Sequence, residues 1–385
     1  MKLLPCHFDS YQRRLDTEVL ACEPLASGYR VTLADSVLYP GGGGQPADEG
    51  TIAGARVLEV LDGEAHAYAV DAPIAVGPAV VEVDWARRFD HMQQHTAQHL
   101  ITALALRDLG LATTAFHLNP ERSDVVLATP AVPPDVLADL ADRVNAAIRS
   151  AAPVQARLIT EAELAEVRFR RLPGEHDGTL RVVEIEGIDR NTCGGTHVAN
   201  LAELQVVSFI GQENRQGVTR LHWLAGGRAL AALAAATERE AALNGLLRCA
   251  PDDHAAAVAR LLQQAKDQAR DLKAQAADLA GFLGAQLADG PSPGVLHRPT
   301  GDLAFLNAVA RAAHGRRPDL LLLLTARSEG NAGTFLLAGP PGPVATLGPA
   351  IAAALEGTGG GRPGTFQGKA ARLDRAASAE ALLPR

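Results

Sequence analysis

His91-Met-Gln-Gln-His95-Thr-Ala-Gln-His99 and Cys193-Gly-Gly-Thr-His197 are the two stretches that organise this chain of 385 residues. His95 and His99 stand four apart, and so do Cys193 and His197. In a helix that spacing stacks two side chains on one face. Together the pairs make a Cys-His₃ donor set, which suits a tetrahedral Zn²⁺. Neither pair alone separates a metal site from an ordinary polar pair. Gly194-Gly195 shift the reading, because each glycine costs a helix about 1 kcal/mol against alanine. They suit a tight turn in which backbone approaches a ligand. A zinc protease would carry Glu after the first histidine of the pair; Thr96 stands there, so that base is missing.

Composition bounds the class. Hydrophobic residues make up 47% and aromatic residues 4%, enough apolar material for several cores and rich in helix-forming alanine. The length predicts two to four domains. No apolar run reaches the 18 or so residues of a membrane span, and the N-terminus is not a signal peptide, so the expectation is a cytoplasmic protein with no membrane partner. Cys6, Cys22, Cys193 and Cys249 are scattered, and in a reducing compartment they read as free or metal-bound. The net charge is -8, but residues 291–385 hold ten Arg or Lys against six Asp or Glu, which is +4 and leaves -12 for the rest. A basic tail on an acidic body permits a local phosphate-binding face; solvated arginines explain it equally well.

The two motifs resemble the editing domain of alanyl-tRNA synthetase and its free-standing AlaX-type relatives. Leu38-Tyr-Pro-Gly-Gly-Gly-Gly-Gln45-Pro upstream and Gly359-Gly-Gly-Arg362-Pro363 near the end extend the likeness over most of the chain. The resemblance implies Zn²⁺ held by His95, His99, Cys193 and His197, with zinc-centred chemistry and no certain catalytic side chain. It implies a substrate site built from Ser36, Gly43, Gly44, Gln45, Thr114, Gly194 and Gly195. Ser36 stands where the family usually has Thr, keeping the hydroxyl and losing the methyl. A glutamine usual shortly after the second histidine is not found, and the Thr113-Thr114 region takes its part. Arg220 and Arg362 are the candidate tRNA contacts; Arg168, Arg170, Arg171 and Arg215 are weaker ones. The implied activity is deacylation of Ser-tRNA(Ala), and with it Gly-tRNA(Ala), acting in trans, since nothing at the N-terminus resembles an aminoacylation domain. Likeness to a synthetase also brings nucleotide and ATP binding into view, although the Gly41 to Gly44 run lacks the Gly-Lys-Ser/Thr ending of a phosphate loop. Two alternatives stay open: editing of another mischarged tRNA such as Ser-tRNA(Thr), and a non-catalytic tRNA-binding protein with structural zinc.

The expected fold class is α+β in four parts. Residues 1–85 read as a β-barrel-like domain, with strands at Tyr29–Leu33, 51–60 and 79–84. Residues 86–226 form the α+β zinc editing domain, with helices near 89–109 and 134–150, a short helix at 161–167, and strands at 181–185, 204–210 and 219–223. His91 reads as a helix-start residue and His117 as a packed or ligand-orienting one. Residues 227–290 form a helical, coiled-coil-like connector broken near Pro251. Its second half carries a heptad seam of Val258, Leu262, Ala265, Ala269, Leu272, Ala276, Leu279 and Leu283, which suggests close helix packing or a homodimer. Residues 291–385 form a small α/β domain with helices at 303–313 and 347–355, buried strands at 320–324 and 334–338, and a glycine-rich loop at 359–361. It resembles the domain that accompanies DHH phosphoesterases, a second route to a homodimer.

Overall fold

The computed structural model describes residues 3–61, 66–160, 163, 179–328, 330, 332–380 and 382–384. The expected helix at 161–167, apart from residue 163, and Arg168, Arg170 and Arg171 lie outside them. The chain is a mixed α and β protein that divides into two compact units, Met1–Ala241 and Ala242–Arg385.

In the first unit a short helix α1 (Pro5–Phe8) precedes six strands that close into a barrel in the order β1-β2-β5-β4-β3-β6. These are β1 (Arg14–Pro24), β2 (Tyr29–Leu33), β3 (Gly50–Ile52), β4 (Ala55–Val60), β5 (Ala67–Val70) and β6 (Gly77–Val83). Alternate residues point inward, and Val19, Val31, Leu33, Ile52, Tyr68, Val70 and Val81 fill the barrel. The expected run over 51–60 is a hairpin, because Ala53 and Gly54 both take positive φ and turn the chain.

The helix α2 (Trp85–Leu109) follows directly. Asp84 caps it by accepting from Arg87 N–H, and Gly110 in the left-handed region ends it. From Arg88 to Ala105 nearly every side chain is buried, polar ones included. Its apolar face joins Val125, Leu127, Leu140, Val144, Ile148, Val183, Ile185, Leu221 and Trp223 in one core. Its glutamines are spent on neighbouring backbone: Gln93 donates to Glu203 O at 2.7 Å and Gln94 to Ala225 O at 3.1 Å. This satisfaction is what makes polar residues tolerable inside. Arg88 and Asp48, both fully buried, pair and tie the helix to the barrel; Arg88 also donates to Val37 O and Ser10 O.

Two further sheets complete the unit. One runs β12-β13-β8-β7, with β7 (Thr113–Leu118), β8 (Ser123–Leu127), β12 (Val207–Arg215) and β13 (Val218–Ala225). The other runs β11-β10-β9, with β9 (Val154–Thr160), β10 (Thr179–Ile185) and β11 (Asp189–Thr192). Helix α3 (Pro134–Arg149) buries Leu140, Val144 and Ile148, a spacing of four that marks one face. The β12–β13 pair turns at 216–217, and Gly211 sits in a register shift inside β12.

The division between units falls inside α4 (Gly227–Leu247), and α5 (His254–Asp289) follows the break at Pro251. In the second unit α5 precedes a five-stranded sheet of order β14-β15-β16-β18-β17, with β14 (Gly294–Arg298), β15 (Leu322–Arg327), β16 (Gly333–Ala338), β17 (Thr358–Arg362) and β18 (Thr365–Ala370). Helices α6 (Leu303–Arg316) and α7 (Pro341–Ala354) cover opposite faces. The run Leu320 to Leu324 therefore splits by parity: Leu321 and Leu323 join α7's core, while Leu320, Leu322 and Leu324 join that of α6 and the end of α5. The glycine run expected as a loop is strand β17. A Cβ on Gly361 would lie 1.8 Å from Thr365 O and one on Gly359 2.7 Å from Gln367 O, so glycine is required by close approach to β18. The heptad seam is mostly exposed along α5, Leu262 at 60% and Leu272 at 66%; only its end packs, at Leu283. Among the described residues no helix is long and apolar enough to cross a membrane.

Candidate metal centre and its cavity

Helix α2 presents His95 and His99 side by side, their rings 5.2 Å apart. Cys193 and His197 arrive on an irregular loop after β11, as the two glycines require, and not on a helix. The four ligand atoms of His95, His99, Cys193 and His197 lie within 4.8 Å of one another. Cys193 Sγ is 3.4 Å from His95 Nε2 and 3.3 Å from His197 Nε2. A zinc ion bonded at about 2.0–2.3 Å to each donor separates tetrahedral ligands by roughly 3.3–3.8 Å, the spacing of the two Cys193 contacts. His91 is buried but stands outside the cluster.

Each imidazole is oriented from behind by an oxygen on its Nδ1. His95 Nδ1 meets Gln45 Oε1 at 2.9 Å, His99 Nδ1 meets Asp189 Oδ2 at 3.3 Å, and His197 Nδ1 meets Thr96 Oγ1 at 3.0 Å. An acceptor there places the proton on Nδ1 and leaves Nε2 free for a metal. Gln45 cannot turn over: its Oε1 also accepts from Thr196 N–H and its Nε2 donates to Thr196 Oγ1. Thr96 Oγ1 additionally accepts from Val198 N–H at 3.2 Å. The residue at the place of a protease base thus anchors the second half of the cage to the first. Arg181 holds the same loop by donating to Cys193 O at 2.6 Å. Gly195 packs flat against His95; a Cβ there would fall 2.3 Å from the ring and 2.7 Å from Gln45 Oε1.

Electrostatics match the geometry. Burial opposes ionisation of the Cys193 thiol, but His95, His197 and His99 outweigh it and hold the group well below its ordinary 9.0. Burial also works against charge on His99, yet the Cys193 thiolate and Asp189 raise it to about 9. His197 is driven down to about 3, chiefly by burial. The site favours a thiolate, the form a metal requires.

A cavity of about 560 Å³ adjoins the cage, lined by Gly43, Gly44, Gln98, Thr102, Thr113, Thr114, Ala115, Phe116 and Asn191. Gly43 and Gly44 precede Gln45, Gln98 precedes His99, and Asn191 lies two before Cys193. Phe116 lies tilted to the His95 ring with the ring centres 6.3 Å apart, and a Cβ on Gly44 would meet Phe116 at 2.5 Å. Gly43, Gly44 and Thr114 are thus on the cavity wall, and Gln45 and Gly195 are behind the cage. Gly194 adjoins Cys193 in the loop. Ser36 is fully buried outside this lining, where its Oγ accepts from Leu38 N–H. His117 pairs with Asp124 at 2.8 Å, half exposed, away from the cage. Arg220 leans on the same Asp124 at 3.5 Å, and Arg362 is exposed in β17. Asp189, Arg181, Gln98 and Asn191 carry no site signal in the sequence, and Thr96 reads there only as the absence of a base.

Fold and site define a protein of mixed α and β structure with a His/Cys cluster able to bind a metal and a polar cleft beside it. Residues 180–222 match the threonyl and alanyl tRNA synthetase second additional domain. The alanyl-tRNA editing protein Aarsd1 of Mus musculus is 42% identical over 399 residues, covering 98% of this chain and 96% of its own. Its Danio rerio counterpart is 37% identical over 398 residues, with the same coverage. The alanyl-tRNA editing protein AlaX-M of Methanosarcina barkeri is 30% identical over 226 residues, 54% of this chain and 91% of its own. The chain belongs to the alanyl-tRNA editing protein family. Neither these relatives nor the cavity support ATP binding.

Proposed function

We propose that His95, His99, Cys193 and His197 hold Zn²⁺ and that the chain deacylates Ser-tRNA(Ala), and Gly-tRNA(Ala), in trans. As a family member the chain is an aminoacyl-tRNA deacylase, a hydrolase of carboxylic esters acting on tRNA. The observation that carries the zinc reading is the convergence of four donor atoms within 4.8 Å, with an oxygen behind every imidazole. Bound there, zinc supplies Lewis-acid polarisation. The protein's part is placement. Gln45, Asp189 and Thr96 fix the ligand rings, Gly43 and Gly44 admit the acyl group close to backbone, and Thr113, Thr114 and Asn191 face it across the cavity. An aminoacyl ester is already activated, so orientation supplies much of the rate without a strong protein base. The need for such an enzyme is physical: a site shaped for alanine cannot strongly reject glycine or serine, and a second hydrolytic sieve is required. The proposed four-part division at residues 85, 226 and 290, a cytoplasmic location, tRNA contacts through Arg220 and Arg362, and a homodimer through α5 or the C-terminal part belong to the same reading.

The test is deacylation of Ser-tRNA(Ala), Gly-tRNA(Ala) and Ser-tRNA(Thr), before and after chelation and with Cys193→Ala. Loss of activity on both Ser-tRNA(Ala) and Gly-tRNA(Ala), together with bound zinc, is expected. Turnover that survives chelation and C193A refutes the site. Preference for Ser-tRNA(Thr) supports the other reading that the matched threonyl and alanyl domain permits.

A further inference from the structure

The segment ahead of the first strand reaches the far half of the cage. Helix α1 is a single turn, closed by His7 Nδ1 accepting from Leu4 N–H at 2.8 Å. It aims His7 O at Arg181, whose Nε donates to it at 2.9 Å while its Nη1 donates to Cys193 O at 2.6 Å. Three residues on, Ser10 Oγ accepts from His197 N–H at 3.3 Å. Tyr11 Oη accepts from Ala199 N–H at 2.8 Å and donates to Glu203 at 2.7 Å. The segment thus meets the loop at Cys193, through Arg181, and directly at His197 and Ala199.

Its other side is fixed to the helix of His95 and His99. Arg88 Nη1 donates to Ser10 O at 3.1 Å, and the Tyr11 ring lies 5.6 Å from that of Trp85; Arg88 and Trp85 both stand on α2. Arg181 is buried with two carbonyl oxygens as its partners, and its Nη2 has none. A guanidinium so placed costs folding free energy, but its planar fork joins two carbonyls in a fixed geometry. Gly194 and Gly195 give the loop little stiffness of its own, so ties from outside decide where Cys193 and His197 stand.

Resting on the zinc reading, we propose that residues 5–11 are a strap that sets the Cys193–His197 half of the metal site against the α2 half. Arg181, Ser10 and Tyr11 are its positioning residues. They act through the ligands and slow release of the metal by keeping the two donor pairs in register. Ser10 lies 187 residues from the His197 it holds, so neither motif gives a sign of it.

The experiment loads the full chain with Zn²⁺, or with Co²⁺ as a spectroscopic stand-in, and times release of the metal to a chromophoric chelator. Ser10→Ala combined with Tyr11→Phe should release metal about tenfold faster than wild type, and Arg181→Met faster still. The thiolate-to-cobalt absorption band should weaken in both. Ser10→Thr keeps the hydroxyl and should release metal at the wild-type rate. A purely structural strap would lower the melting temperature of the metal-free chain and leave release, timed well below melting, within twofold of wild type; that result overturns the proposal, as does fast release from Ser10→Thr. A wild-type chain that takes up neither ion overturns the zinc reading itself, and the strap's role with it.

Discussion

Helices α2 and α5 both carry regular apolar spacing, and they meet opposite fates. In α2 nearly every side chain from Arg88 to Ala105 is buried; Arg88, the glutamines, His95 and His99 are given partners, while His91 Nδ1 has none. In α5 the seam of Val258, Leu262, Leu272 and Leu279 stays exposed over most of its length. Periodicity says which residues share a face; it does not say what, if anything, covers that face. What separates the two is the polar side chains, which in α2 are tied to strands and loops far away in sequence.

The same Gly→Ala exchange sharpens this contrast most. At Gly195 the new Cβ would displace His95 or Gln45; bound metal should drop below a tenth of wild type and deacylation by at least about a hundredfold, in line with losses seen when a ligand's support is disturbed. At Gly281 in α5 nothing lies within 4 Å, and alanine should stabilise by about 0.5–1 kcal/mol in thermal unfolding. Loss of stability at Gly281 would show that a partner occupies that face.

Buried and exposed charge offer a second contrast. Arg88→Met strands Asp48 in the interior and should destabilise the chain by about 3–5 kcal/mol in denaturant titration. Arg270→Ala removes a guanidinium that is 72% exposed and should change stability by no more than about 0.5 kcal/mol. A mild R88M would mean that the barrel and α2 are held together mainly by apolar contact.

The third contrast is with pH. Burial, then Arg87, lowers His91 from 6.5 to about 4. The unfolded chain therefore binds the proton more tightly, so this contribution is full above pH 6.5 and is lost as pH falls toward 4. Stability should decline across that window by up to roughly 1 kcal/mol per pH unit from this group, and His91→Gln should flatten the slope. A slope unchanged in H91Q would assign it to other groups. The smallest effect concerns α5 itself: Leu262→Ala and Leu272→Ala should each cost a monomer under about 0.5 kcal/mol. If a second chain covers the seam, Leu262→Asp with Leu272→Asp should halve the sedimenting mass; an unchanged mass shows that α5 is not a contact between chains.

Much of this was legible in residues that act locally. The helix bearing His95 and His99, its stop at Gly110, the turn at Gly194-Gly195 and the break at Pro251 follow from caps, glycines and proline. Residues whose job depends on folding were not. Thr96 looked like an absence, the missing protease base, until its hydroxyl was seen between His197 and Val198. Asp189 and Asn191 lie 90 residues or more beyond His99, and no spacing rule reaches across that distance. Gly359 to Gly361 misled because glycine marks loops and close strand approach alike.

Gln45 gives the chain an order of assembly. The centre needs a loop between barrel strands, the middle of a helix and a turn 151 residues beyond Gln45 to be together before the first imidazole is fixed. Such distant closure comes late in folding. Assembly of the donor set therefore marks completion of the first unit, and chains interrupted between Val83 and His197 should emerge with the barrel but without the full set.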